Sequence, residues 1–335
     1  MTTGGAAQPE PLRSEEPFEL HFTGHPMTSN DSLALLLSNN RSRCGIYWID
    51  FADGASYVGQ SVSTRSRLAA HRRRWNDAVL VRFAECPPER LDEFELATIQ
   101  LAQKSRPLRN KLLTSRPGGE RDLEVTVRHG ESLTLPWDRE RRGPVGTTLA
   151  IVEPTAGQRA AFEKMEKVPG FDSVAQVLAA IIREAIPSPA ASQGVLWSVS
   201  ALPSTNRARG WRRLATLSAG RVEVLRVFEA KNGEQVDRPS FLNLAPDTDE
   251  RGLARAFRRI GITQDRVSNG EYAALNGIRT VEVPALDQLS QLLDEPVVIE
   301  SVYRLVVTLM RQGSAPLRRV HNPVFAQYLL ALARH

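Results

Sequence analysis

Tyr47, Tyr57, Arg67, His71, Glu95 and Asn110 fall within one short stretch of the 335-residue chain. Together they hold the chemistry needed to cut a phosphodiester. That reaction needs an activated nucleophile, positive charge on the phosphoryl oxygens and a stabilised leaving oxygen. A carboxylate such as Glu95 can hold one hard cation, with water and phosphate oxygens filling its remaining positions. The planar fork of Arg67 matches phosphate oxygens. A tyrosine is a poor base, since its free pKa is about 10, and a nearby cation and His71 are expected to lower it. Taken singly, these residues are ordinary: tyrosines in a hairpin commonly pack across strands, and helical Arg, His and Glu commonly face solvent. Their joint spacing sets them apart.

The elements that must position them can be read locally. Residues 44–51 are rich in β-branched and aromatic types and predict a strand. Asp53-Gly54 predicts a tight turn, and residues 55–59 the returning strand, so Tyr47 and Tyr57 should share a site. Ser63 or Thr64 suits a helix N-cap. Arg67 and His71, four apart, then share a helix face. Residues 78–83 predict a third strand. Residues 88–104 predict an amphipathic helix that carries Glu95, with Leu91, Phe94, Ala97 or Thr98, and Leu101 as its apolar side. Pro107 ends that helix, and Asn110 follows in a loop.

Gly45-Ile46-Tyr47 and Tyr57-Val58-Gly59, followed by Arg67, His71, Glu95 and Asn110, resemble the GIY-YIG nuclease family over about residues 43–112. The resemblance implies a small α/β domain, with a three-stranded antiparallel sheet flanked by helices, that hydrolyses DNA. It also implies Tyr47 as general base, Tyr57 positioning water or phosphate, and Arg67 on the phosphate. Glu95 would be the metal ligand for Mg²⁺, with Mn²⁺ as a substitute. Asn110 would support the site by hydrogen bonding, and His71 would assist Tyr47. Valine stands where isoleucine is usual in the second triplet. Restriction or phage defence is the first expected role and repair the second. The alternative is a catalytically inactive member of the fold that binds nucleic acid or a partner.

Composition sets the wider frame. The chain is 41% hydrophobic and 24% charged, which is ordinary for a globular protein, and its length suits two or three domains. The expected divisions are a flexible segment 1–35, a nuclease-like domain 40–115, a linker 116–150 with one strand at 123–128, and an α+β region 151–335 with strands in 194–202, 214–228 and 240–244. The last would serve target recognition or oligomerisation. No apolar run is long enough to cross a membrane, and residues 1–30 have no apolar signal core, so a cytoplasmic, non-membrane protein is expected. Two cysteines, Cys44 and Cys86, fit a reducing compartment and cannot build a zinc site; both should be buried.

The net charge is +5. Residues 61–116 carry 12 Lys/Arg against 6 Asp/Glu, which points to a polyanionic partner, DNA. Arg72, Arg73 and Arg74 extend the helix of Arg67 and could track a strand. Arg251, Arg255, Arg258 and Arg259 form a second basic stripe on one helix face, opposite Leu253, Phe257 and Ile260. A homo-oligomer or a specificity partner would complete the expected assembly. Arg128-His129-Gly130-Glu131-Ser132 resembles the histidine-phosphatase signature, but the partner histidine and pocket arginines of that family have no match here.

Overall fold

A computed structural model describes residues 20–27, 44–110, 116–146, 153–203, 210–232, 235–272, 275–313 and 319–335. It is a mixed α/β structure with antiparallel sheets and several helices, divided into two compact units, Met1–Pro107 and Leu108–His335. Among the described residues no helix is long and apolar enough to cross a membrane.

The first unit holds β1 (Thr23–Pro26), β2 (Gly45–Phe51), β3 (Ser56–Ser61) and β4 (Ala78–Glu85), with helices α1 (Thr64–Arg74) and α2 (Leu91–Gln103). The sheet order is β1-β4-β2-β3, all antiparallel. The β2–β3 turn forms where Asp53-Gly54 predicts it. Gly54 has φ +83°, and the Asp53 carboxylate accepts from the Ala55 amide at 3.0 Å. β2 is buried along its whole length because strands flank it on both sides and α2 crosses it.

Several expectations need correction here. The sheet has four strands rather than three, because β1, from the segment expected to be flexible, pairs with β4. Its residues, Thr-Gly-His-Pro, carry no strand pattern; pairing with an edge that is already formed supplies the order. The rest of that segment, 1–19 and 28–35, lies outside the described residues. On α2 the buried side is Leu91, Phe94, Thr98, Ile99 and Ala102, while Leu101 stays 39% exposed. The apolar stripe runs through Ile99 and Ala102 rather than Leu101. Cys86 is buried as expected, but Cys44 is only partly so.

The second unit is built on a seven-stranded antiparallel sheet of β7 (Trp197–Ala201), β8 (Trp211–Ala219), β9 (Val222–Asn232), β10 (Gln235–Asp237), β11 (Ser240–Leu244), β12 (Val267–Tyr272) and β13 (Leu275–Val283). The strand order is β12-β13-β11-β9-β8-β7, with β10 paired to β9. One register row, Val199, Leu217, Leu225, Leu242, Val281 and Val267, crosses six strands on one face. This row joins the core made with helices α3 (Ala156–Glu166), α4 (Phe171–Ala185), α5 (Pro189–Ser192), α6 (Glu250–Ile260), α7 (Leu286–Leu293), α8 (Pro296–Arg311) and α9 (Pro323–Leu332). Each fully buried aliphatic side chain contributes roughly 1.5–3 kcal/mol. The neighbouring row, Ser200, Thr216, Arg226, Phe241 and Glu282, is polar or aromatic and faces the other way.

Residues 116–150, expected to be a linker with one strand at 123–128, contribute that strand as part of a hairpin, β5 (Leu123–Arg128) and β6 (Glu131–Leu135), whose Leu133 and Leu135 join this core. α8 holds it down. The Tyr303 hydroxyl donates to the carbonyls of Pro136 (2.8 Å) and Asp138 (3.2 Å). The buried Arg311 guanidinium donates to those of Pro117, Leu135, Gly119 and Arg121. The phosphatase-like string is simply the turn of this hairpin: Gly130 has φ +77° and His129 is exposed.

Candidate functional site

The two glycines of the motif are spatial requirements. Gly59 lies opposite Tyr47 in the β2–β3 register, and the Tyr47 ring packs over it. A Cβ there would sit 2.5 Å from the ring carbon bearing the hydroxyl. Gly45 packs against β4, where a Cβ would meet the Ala84 carbonyl and the Phe83 ring. Only glycine admits both approaches.

Tyr57 pairs with Ile49, so it sits diagonal to Tyr47 on the same face, with ring centroids 6.2 Å apart. From α1, the His71 ring reaches both tyrosines, at 5.4 Å from Tyr47 and 5.1 Å from Tyr57. Trp75 stacks on His71 at 4.7 Å with the two rings nearly parallel, and meets Tyr57 and Phe51 as well. Trp75 escaped the sequence reading because it lies one residue past the helix end. Its spacing of four from His71 was the available signal.

The Tyr47 hydroxyl and His71 Nε2 are 2.8 Å apart. Burial, helped by the Arg67 and Arg74 charges, pushes the His71 imidazole down to about 4. The ring is therefore neutral near pH 7, and its Nε2 can accept the Tyr47 proton. Burial, with Tyr57 adjoining, raises the Tyr47 phenol above its ordinary value despite the opposing field of Arg67. This corrects the expectation that a cation and His71 would lower it: desolvation outweighs one exposed guanidinium. Burial likewise raises Tyr57.

Glu95, on α2, is half-buried, and burial raises its carboxyl pKa. Its Oε2 accepts from Gln60 Nε2 at 3.0 Å, and the same amide donates to Asp92 at 2.5 Å. Sequence reading also missed Gln60 and Asp92. Gln60 directly follows the second triplet on β3, and Asp92 precedes Glu95 by three on α2, so both could have been found from their place beside the motif. Arg67 is exposed and has no acidic partner among the described residues. Its charge acts on Tyr47, Tyr57, His71 and Glu95 alike.

The fold thus gathers Tyr47, Tyr57, Arg67, His71 and Glu95. Asn110 is buried, but it lies past the division at Pro107, where its carbonyl accepts from the Gly118 amide at 2.9 Å. Its supporting role rests on the resemblance alone. Arg72, Arg73 and Arg74 are exposed along α1, with the Arg74 guanidinium 5.4 Å from the Trp75 ring centre. Arg251, Arg255, Arg258 and Arg259 are exposed along α6 in the second unit.

Among the described residues, no three His, Cys, Asp or Glu side chains gather as a metal-binding group. The donor set suits only an ion that takes one or two carboxylate oxygens and keeps much of its water, as Mg²⁺ does. The half-buried Glu95 carboxylate, incompletely compensated by Gln60, fits that role. No family model matches the chain, and neither does any curated protein or solved structure.

Proposed function

We propose that this chain is a metal-dependent endonuclease that hydrolyses DNA phosphodiesters at the Tyr47–Glu95 cluster. The observation that carries the reading is the 2.8 Å pairing of Tyr47 with a neutral His71, beside an exposed arginine and a half-buried glutamate. Tyr47 is too basic as a phenol to rest as phenolate, so its work is a relay. It takes a proton from the attacking water at its oxygen and passes its own proton to His71 Nε2. Water oxygen bonds to phosphorus, the bond to the departing sugar oxygen breaks, and that oxygen takes a proton from solvent. Arg67 binds the phosphoryl oxygens as they gain charge. Glu95 would hold the divalent ion, which supplies a Lewis acid for the phosphate. Gln60 fixes the Glu95 rotamer.

A second reading is a binding protein that keeps the fold without cutting. It is favoured by the hold of Gln60 on Glu95 and by the protonated rest state of Tyr47. The two part on one experiment: nicking of supercoiled plasmid and of single-stranded DNA with Mg²⁺, Mn²⁺ or EDTA, alongside Glu95→Gln. The nuclease predicts metal-dependent cuts that the variant loses while still binding DNA. Binding without cuts in any metal selects the second reading. A restriction or defence role comes first among biological settings and repair second, with α6 and the second unit supplying target contacts.

A further inference from the structure

A cleft in the second unit takes no part in that chemistry. It holds about 520 Å³, within the range of small-ligand sites. One wall is a flank of α6, where Glu250, Leu253, Ala254 and Phe257 follow the spacing of a single helix face. The other wall is the sheet. Leu244 on β11, Arg279 on β13 and Asn269 on β12 are direct register partners, so their side chains share one face. It is the face that the helices cover, because the row two residues along is Leu242, Val281 and Val267, which joins the helical core.

The floor is apolar. Leu244, Leu253 and Phe257 are buried, and Ala254, with only a methyl, is exposed to the space beside them. Above it stand two opposite charges, one from each wall: a terminal nitrogen of Arg279 donates to the Glu250 carboxylate. Among the described residues Arg279 makes no other ion pair. The Glu250 side chain is 77% exposed and that of Arg279 21%, and so open a pair contributes little to stability. Separating it therefore costs little. The Arg279 fork has N–H donors enough to take a carboxylate in bidentate geometry. A lone anion would compete with Glu250, and a lone cation with Arg279. A zwitterion instead exchanges one weak ion pair for two, while its side chain covers the floor. Asn269 adds an exposed amide on the row of Arg279.

We propose that this cleft binds a free apolar α-amino acid, its carboxylate on Arg279, its ammonium on Glu250 and its side chain against Leu253, Ala254 and Phe257. The proposal stands apart from the nuclease reading, because binding is measured without DNA and without metal.

The test is isothermal titration calorimetry of the full-length protein in EDTA with L-phenylalanine, whose ring suits the volume. Saturable binding with a Kd of about 1 mM or tighter is expected. Three analogues each lack one feature: phenylpropionate the ammonium, phenethylamine the carboxylate and glycine the side chain. Each should bind about tenfold more weakly or worse, since each loses a charged hydrogen bond or the burial of a ring. Arg279→Met and Glu250→Gln should each weaken phenylalanine by about tenfold or more. Ala254→Met, at an exposed position where methionine is a good helix former, should fill the cleft and abolish binding while the thermal melt stays unchanged. No saturable heat with phenylalanine, leucine or methionine overturns the proposal. So does phenylalanine affinity that survives both Ala254→Met and Arg279→Met. Phenylpropionate or phenethylamine binding as tightly as phenylalanine overturns it too, because the cleft would then read one charge, as at a peptide terminus, and not a zwitterion.

Discussion

Tyr47 has a raised phenol and a neutral imidazole as its partner, so neither residue is a base alone at rest. On the proposed nuclease reading, removing the hydroxyl should stop the relay while keeping the ring that covers Gly59. Tyr47→Phe is therefore expected to lower the cleavage rate by roughly 10²–10⁴, with DNA affinity nearly unchanged; near-normal turnover in single-turnover assays would remove Tyr47 from the chemistry. His71 gives a pH prediction whose sign follows from its depressed pKa. In the unfolded chain it titrates near 6.5, but folded it resists protonation until about 4. Between those values the unfolded state binds more protons, so stability is fully present above about pH 6.5 and falls as pH drops toward 4. His321, buried in the second unit and also held down to about 4 by burial, has the same sign. Its ring accepts from the Val199 amide at 3.2 Å. Thermal melts from pH 7 to 4 should therefore lose part of their pH slope in His71→Gln and another part in His321→Gln; an unchanged slope in both would mean that neither is held neutral. The residue types and their spacing were legible in the sequence. The direction of the Tyr47 shift was not, because it depends on how deeply β2 is buried, and that follows from strands on both sides.

At the scale of elements, the β2–β3 hairpin is a device for placing a ring over a glycine. Gly59→Ala would put a methyl 2.4 Å from the Tyr47 oxygen, so the tyrosine must move. We expect roughly 1–3 kcal/mol of lost stability and a loss of cleavage close to that of Tyr47→Phe. Chemical denaturation with plasmid nicking reads both, and a folded, fully active variant would show the ring is not fixed there. The hairpin, α1 and α2 were readable because each uses local signals: Asp53-Gly54, the Arg67–His71 spacing and the Leu91–Phe94 stripe. The strand at 123–128 was also readable, but its pairing with 131–135 was not, because what orders the hairpin lies far along the chain. Arg311 reaches the Leu135 carbonyl of the hairpin and those of Pro117, Gly119 and Arg121 just before it, and stacks on Trp137 at 4.2 Å. Burial pushes this guanidinium down to about 10, so it stays charged at neutral pH. Arg311→Met fills the space but removes those four hydrogen bonds, while the Gly119 carbonyl keeps its bond from Trp137 Nε1. It should cost about 2–4 kcal/mol and open 116–137 to limited proteolysis; Arg311→Lys should recover little, since one ammonium cannot span that arc of acceptors. Wild-type resistance in Arg311→Met would show the hairpin is held by Leu133 and Leu135 alone.

Across the whole molecule, positive charge occurs in both units, so on the nuclease reading DNA affinity should depend on residues far in sequence from the proposed catalytic cluster. Reading the second unit's strands from sequence succeeded for β7, for β11 and for the stretch 214–228 shared by β8 and β9, each rich in apolar residues. It failed for β12 and β13, because Ser268, Asn269 and Gly270 interrupt any apolar alternation and their order comes from pairing to one another and to β11. The α6 stripe was legible because a helix that buries Leu253, Ala256 and Phe257 must turn Arg251, Arg255 and Arg258 outward. Arg259 is also exposed but pairs with Glu295 at 3.2 Å, so part of its charge is already used. If the stripe lies along a duplex backbone, replacing all four arginines with glutamine should lower the magnitude of the slope of log affinity against log salt by about three, not four, since each phosphate contact contributes about 0.9. The measurement is DNA binding over a salt series in EDTA, with Glu95→Gln as background so that no strand is cut. A slope reduced by about three, with plasmid nicking intact at low salt when the same four arginines are replaced in protein that keeps Glu95, would make α6 a second phosphate-binding surface. An unchanged slope would leave α6 as solvated surface and return DNA affinity to Arg67, Arg72, Arg73 and Arg74 on α1.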